Sequence, residues 1–286
     1  MPRSVTIRPG DDVARRLARV RVTRGPVDLD AFPDFFVVGP PRTGTTWLHS
    51  QLEVHPEIFV PHPKELYFFS AIRTRAAHFV TDELADYLAF FAADLPGVAA
   101  KDAACRERYG RGFDIRARGD FSTSYAAHLD DVSIADLRLL NPELRAVLHL
   151  RDPVKRAWSH ARHVLRHEGL DRTDPQVVRE IVTNEYVLDC SRYSVMVPFW
   201  QRHFGDRLLI TPFRRIRAEP DALLARVHAF LGVTPDPRFH APRNEQRRNA
   251  AGGGAMPDDV RTHLEAELGG EREWLLDVFG LDPADL

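Results

Sequence analysis

Short runs that read as buried strands recur at 35–38, 58–60, 118–121, 146–150 and 207–211, and stretches with helical spacing fill the intervals around 82–92, 153–167, 192–204 and 219–231. A brief apolar run without polar alternation suits a strand covered on both faces, whereas apolar residues three and four apart suit a helix with one buried stripe. Strands alternating with helices predict an α/β domain: a central parallel sheet of about five strands, right-handed crossovers, and helices on both faces. Residues 1–33 read as a lead-in, in which Val13, Leu17 and Val20 interleave with Arg15, Arg16 and Arg19 as one amphipathic helix would. The domain itself is expected over 34–286. A glycine-rich patch at 250–255 lies within a lid loop expected over 241–256, and a pair of helices is expected to start near Pro257.

Composition narrows the class without naming it. Of 286 residues, 44% are hydrophobic and 28% charged, and the formal net charge of -2 excludes a general polyanion binder. No nucleic-acid partner is expected. Every basic residue except Lys64, Lys101 and Lys155 is arginine, so a lone arginine carries little weight. The two cysteines, Cys105 and Cys190, form neither a disulfide framework nor a zinc motif, which fits a reducing compartment. Residues 1–33 lack the apolar core of a secretory leader, and no run approaches the roughly 18 apolar residues of a membrane span. A cytoplasmic location without a membrane partner is expected; the oligomeric state is not legible.

The first strand runs into Gly39-Pro40-Pro41-Arg42-Thr43-Gly44-Thr45-Thr46, and a helix-like segment follows. The spacing is that of the GxxxxGK[ST] phosphate loop, with Thr45 where nucleotide hydrolases carry lysine. A strand-to-helix turn of this kind aims backbone N–H groups and a helix N-terminus at one point, which suits a phosphate. Taken alone it is equally a turn that only joins strand to helix. A second strand end carries RDPVKRAWSHARH from Arg151, with Pro153 placed for the first turn of a helix. In isolation this could be a capping Asp152 flanked by solvated arginines. Glu65, in KELYFFS after the second strand, is the most noteworthy carboxylate, because deprotonating an attacking hydroxyl requires a base within hydrogen-bond reach. As a surface charge beside a core aromatic triplet it would need no such role. His160, His163 and His167 share one helical face but lack the carboxylate or thiolate partners of a metal site.

PPRTGTTWL resembles the 5′-phosphosulfate loop of sulfotransferases that use 3′-phosphoadenosine 5′-phosphosulfate (PAPS). RDPVKRAWSHARH resembles that family's 3′-phosphate element, RDPxxRxxSxxxH. The resemblance implies a single P-loop-type domain and places Pro41, Arg42, Thr43, Gly44, Thr45, Thr46 and Trp47 on the 5′ side of the donor, with Arg151 and Ser159 on its 3′-phosphate. The family usually has lysine at the position of Arg42. KELYFFS is similar to the segment of heparan sulfate N- and 3-O-sulfotransferases and their bacterial relatives that carries the catalytic glutamate, which implies Glu65 as base and Lys64 as its neighbour. Those enzymes usually have histidine where Tyr67 stands. GDFSTSY from Gly119 is similar to their GExSPxY segment, which implies an acceptor side formed by Tyr67, Phe68, Ser122 and Tyr125. Tyr193 matches a helix start near the nucleotide, and Arg243, Arg247 and Arg248 match a basic lid. The resemblance further implies PAPS as donor, adenosine 3′,5′-bisphosphate as product, no metal, and a small-molecule, carbohydrate or carrier-bound acceptor. A P-loop kinase and a non-catalytic nucleotide-binding protein are the rival readings.

Overall fold

Phe35–Gly39 has no polar side chain and is buried along its whole length, as a strand covered on both faces must be. Its alternate residues serve two cores. Phe36 and Val38 join one with Ala146, Leu148, Val197 and Trp200, while Phe35 and Val37 join the other with Val147, Leu48, Leu224 and Val227. Helices therefore cover both faces of the sheet.

The computed structural model describes residues 5–75, 79–242 and 255–281. Among these, the strands are β1 (Thr6–Ile7), β2 (Val27–Asp28), β3 (Phe35–Gly39), β4 (Ile58–Phe59), β5 (Ala117–Asp120), β6 (Arg145–Leu150) and β7 (Leu208–Pro212). β3 to β7 form a five-stranded sheet in the order β4-β5-β3-β6-β7, and every neighbouring pair is parallel. The five strands expected from the sequence are these five, with ends moved by a residue or so. Helix Pro153–His167 has the expected bounds, and Tyr193–Phe204 and Pro220–Leu231 begin one residue later than expected. The expected helix over 82–92 is the shorter Leu84–Leu88 followed by a 3₁₀ turn, Ala89–Phe91.

Two expectations are corrected. The lead-in helix covers only Asp12–Arg16, because the chain turns to extended backbone at Leu17. The N–H groups of Ala18, Arg19 and Val20 are caught by the carboxylate of Asp136 at 2.7, 2.8 and 3.1 Å, so a distant side chain satisfies the amides that a longer helix would have paired internally. Leu17 and Val20 then bury in the same core as Phe36, alongside Ile7 and Val27 of the small antiparallel β1–β2 ribbon. The expected C-terminal helix pair is one helix, Asp258–Phe279. Gly269 and Gly270 do not break it. Val260, Leu264 and Leu268 keep one stripe in phase against Val154, Ala157, Ala161 and Leu165 of the Pro153–His167 helix, and packing outweighs the roughly 1 kcal/mol that each glycine costs. No helix among the described residues is long and apolar enough to cross a membrane.

Candidate active site

The chain leaves β3 for β4 and β5 on one side and then passes to β6 on the other, so a crevice opens beyond the carboxyl end of β3. The loop that fills its floor is held by close backbone approaches. Gly39 has φ +104° and lies so near Thr123 that a Cβ would come within 2.5 Å of its carbonyl oxygen. Gly44, at φ +92°, is the N-cap of helix Thr45–Glu53 and would drive a Cβ to 2.2 Å from Ile216 Cδ1. No side chain caps that helix, which leaves its first N–H groups facing the loop. Thr43 is fully buried and donates to the Pro40 carbonyl at 2.7 Å, closing the turn from within. Thr46 is half-buried and Thr45 buried, while the Trp47 ring packs under the loop with Phe35 and Leu48.

Three guanidinium groups surround this loop. Arg151, one residue past β6, donates through Nη1 to the Arg42 carbonyl at 2.7 Å, and its own N–H donates to Tyr193 Oη at 3.3 Å. Tyr193 is fully buried, so it orients Arg151 rather than lining the crevice. Arg156 is also fully buried, donating to the Pro41 carbonyl at 3.2 Å and to Ser191 Oγ at 2.5 Å. Arg42 reaches across through Nε to Ser159 Oγ at 3.2 Å. The hydrogen-bond partners of these three groups are carbonyl and hydroxyl oxygens and the His160 ring, and among the described residues none of the three forms a carboxylate ion pair. Burial, and then the nearby Arg166 and Arg162, push Arg42 below the usual arginine value. Burial pulls Arg151 down to about 10, with Arg42 and Arg156 adding to the fall. Clustered buried cations without counter-ions are costly, and a bound anion removes that cost. Asp152 acts on Arg151 only at a distance, raising it weakly against the fall. It caps helix Pro153–His167 by accepting from the Lys155 N–H at 2.8 Å and pairs with Arg272 at 2.9 Å.

Across the crevice, Glu65 occupies a left-handed backbone position at φ 70°, two residues before Tyr67 at φ 57°. Both carboxylate oxygens are engaged, one by the Lys64 ammonium and the other by the Tyr67 hydroxyl. Burial and then Glu65 raise Tyr67 far above the usual phenol, so it stays a donor. The charge of Glu65 opposes the fall of Arg42, so the two side chains lie within electrostatic reach of each other. Phe68 is buried and stacks on Tyr87 at 4.7 Å. Ser122 and Tyr125, expected on the acceptor side, are also fully buried and lie behind the Glu65 turn.

His163, whose residue type and spacing suggested only helix packing, lies within electrostatic reach of Arg42 and Glu65. Burial and then Arg42 lower it, and Glu65 acts on it in the opposite sense. Ser159 and His163, four residues apart on one helix, share a face, and that spacing was the available signal. His160 turns the other way and meets Arg156 at 3.3 Å. Arg243, Arg247 and Arg248 lie outside the described residues. Among the described residues, no three histidine, cysteine or carboxylate side chains are grouped to hold a metal.

The profile of the sulfotransferase family matches residues 33–237. The chain is 27% identical over 228 residues to the mouse bifunctional heparan sulfate N-deacetylase/N-sulfotransferase 4, a match covering 72% of this chain and 23% of that protein. It is 24% identical over 230 residues to the human bifunctional heparan sulfate N-deacetylase/N-sulfotransferase 1, covering 74% and 23% respectively. The chain thus spans about a quarter of the length of these relatives. Its fold is similar to that of a sulfotransferase from Alicyclobacillus acidocaldarius, with a TM-score of 0.59 and 21% identity over 87% of this chain and 96% of that one.

Proposed function

The chain belongs to the sulfotransferase family, and from that membership we propose that it moves the sulfuryl group of PAPS onto a hydroxyl or amine of a carbohydrate or small natural-product acceptor. The observation that carries this reading is the grouping of Arg42, Arg151 and Arg156 around the 39–46 loop, with Glu65 within electrostatic reach of Arg42. Arg151 and Ser159 hold the 3′-phosphate. Arg42 and the loop amides receive the 5′ side. Glu65 takes the proton of the attacking group as the acceptor displaces adenosine 3′,5′-bisphosphate in line, a role worth about 10²- to 10⁴-fold. Arg42 stabilises the charge that builds on the leaving phosphate, and a donor placed where charge develops contributes about 10²- to 10³-fold. Arg42 cannot act as a general acid at neutral pH, because a guanidinium holds its proton too firmly. Lys64 and Tyr67 hold both oxygens of Glu65 toward the crevice, and His163 flanks it.

A sulfuryl group carries less charge than a terminal phosphoryl group, so arginine and amide donors suffice, and saturating EDTA is expected to leave the rate within about twofold. Calorimetric titration tests the donor. Adenosine 3′,5′-bisphosphate is expected to bind more tightly than ATP, and Arg151→Ala to weaken it at least about tenfold; tighter ATP binding, or no loss in the variant, sinks the reading. Labelled PAPS offered with aminoglycosides, hydroxyacyl carriers and heparosan oligosaccharides identifies the acceptor.

A further inference from the structure

The helix Phe68–Thr74 begins three residues after Glu65, and its N-cap residue, Tyr67, makes no side-chain cap. Helix starts leave N–H groups that require partners. Here the partners come from another element. The Tyr67 N–H donates to Ser122 Oγ at 2.9 Å, and the Phe69 N–H donates to Tyr125 Oη at 3.4 Å. A hydroxyl has one hydrogen, so each of these acts as an acceptor toward the helix while its proton goes elsewhere. Both protons go to Asp120, the last residue of β5. Ser122 donates to Oδ1 at 2.6 Å and Tyr125 to Oδ2 at 2.9 Å, and Tyr87 adds a third bond to Oδ2 at 2.8 Å. Asp120 is fully buried and receives three hydroxyl protons.

We propose that Asp120 is a positioning residue for Glu65: by accepting the Ser122 and Tyr125 protons it turns both hydroxyls into acceptors for the helix start, and so fixes the left-handed 65–67 turn that presents the carboxylate. The inference rests on the reading of Glu65 as the base. The polarity of the relay is the key point. A carboxylate presents only acceptors, whereas an amide of the same shape turns one donor toward hydroxyls that already donate. Strained backbone at two residues of one turn persists only where the surroundings over-determine it, and this relay supplies that constraint. Burial lifts Asp120 to about 6, and the charge of Glu65 adds to the rise, so the two carboxylates lie within electrostatic reach of each other.

The test reads Glu65 directly. In the full chain labelled with carboxyl-¹³C glutamate, the Glu65 resonance is assigned by its disappearance in Glu65→Gln. Asp120→Asn and Ser122→Ala are expected to shift that resonance toward the value of a freely solvated glutamate, with adenosine 3′,5′-bisphosphate affinity within about twofold of the parent. Tyr87→Phe removes a bond to Asp120 but none to the helix start, so it is expected to lower the melting temperature while leaving the resonance in place. Should Asp120→Asn fail to fold, Ser122→Ala carries the test alone. An unmoved Glu65 resonance in Ser122→Ala, or an equal shift in Tyr87→Phe, overturns the proposal. Full-rate transfer by Glu65→Gln would instead remove the base assignment and leave the resonance result standing.

Discussion

Arg42 occupies a place where related loops carry lysine, and its surroundings explain how a guanidinium fits there. Its Nε bonds Ser159 of helix Pro153–His167, so the side chain bridges the 39–46 loop and that helix. A lysine ammonium is a compact point charge on a flexible stem and lacks the fixed planar fork with which a guanidinium bonds Ser159 through Nε while its terminal nitrogens stay free to point elsewhere. Arg42→Lys is therefore expected to keep transfer within about tenfold and to weaken adenosine 3′,5′-bisphosphate by a few fold. Arg42→Ala is expected to lose about 10²- to 10³-fold in transfer rate, measured with labelled PAPS and the acceptor found by screening. Glu65→Gln keeps the shape of the turn and removes the base, so a loss of about 10²- to 10⁴-fold in kcat with unchanged nucleotide affinity is the expected result.

At the scale of elements, the phosphate loop depends on two glycines for different reasons. Gly44 is the left-handed start of a helix, and Gly39 is the point where β3 passes the Thr123 backbone. The Gly39→Ala methyl would meet backbone atoms at 2.5 and 2.9 Å, which no rotamer change relieves, and the positive φ adds strain. A loss of at least about 2 kcal/mol in urea unfolding, together with loss of nucleotide binding, is expected. The helix after β6 is anchored at its start by Asp152, which serves both as cap and as partner of Arg272. Asp152→Ala is expected to lower stability by about 1–2 kcal/mol and to loosen the C-terminal helix, read out as faster amide exchange over 258–279. The cap and the phosphate element were alternative readings of one sequence segment. In the structure Asp152 serves the first and its neighbour Arg151 points to the loop.

Across the whole molecule, acid stability is set by buried histidines. His49, His55 and His149 are held down to about 4 and His228 to about 3, in each case chiefly by burial. A depressed histidine contributes stability that is present above its unfolded value near 6.5 and lost as pH falls toward the folded one. Asp120 works in the opposite sense, its contribution being complete below about 4 and lost as pH rises through 6. With His160 and His163, which burial also lowers, these histidines outnumber Asp120 and predict net destabilisation as pH falls from about 6.5 to 4. His228 is fully buried between His55 at 4.6 Å and His240 at 5.7 Å, and neither ring nitrogen has a hydrogen-bond partner among the described residues. His228→Leu is expected to recover about 2 kcal/mol of the stability lost between pH 7 and pH 5, with the urea m-value unchanged. An equally steep pH dependence in the variant would exclude His228 as a source.

What the amino-acid sequence determined by itself was whatever a few neighbouring residues dictate. The strands, the glycine and proline turn at 39–44, the cap at Asp152 and the start of the helix at Pro153 were all legible, because local hydrogen bonding and short-range burial set them. The tertiary structure alone decided what distant residues do to one another. It folded the lead-in onto Asp136, joined the expected helix pair into one, set the strand order, brought His163 within electrostatic reach of Arg42 and Glu65, and placed Ser122 and Tyr125 behind Glu65 rather than beside it. Arg42 meets Ser159 across 117 residues and Arg272 meets Asp152 across 120, contacts that no local pattern records. Buried charges and hydroxyls take their partners from whichever elements packing brings near, so the 39–46 loop could be read along the chain, while the partners of its arginines and the relay behind the Glu65 turn had to be read across the fold.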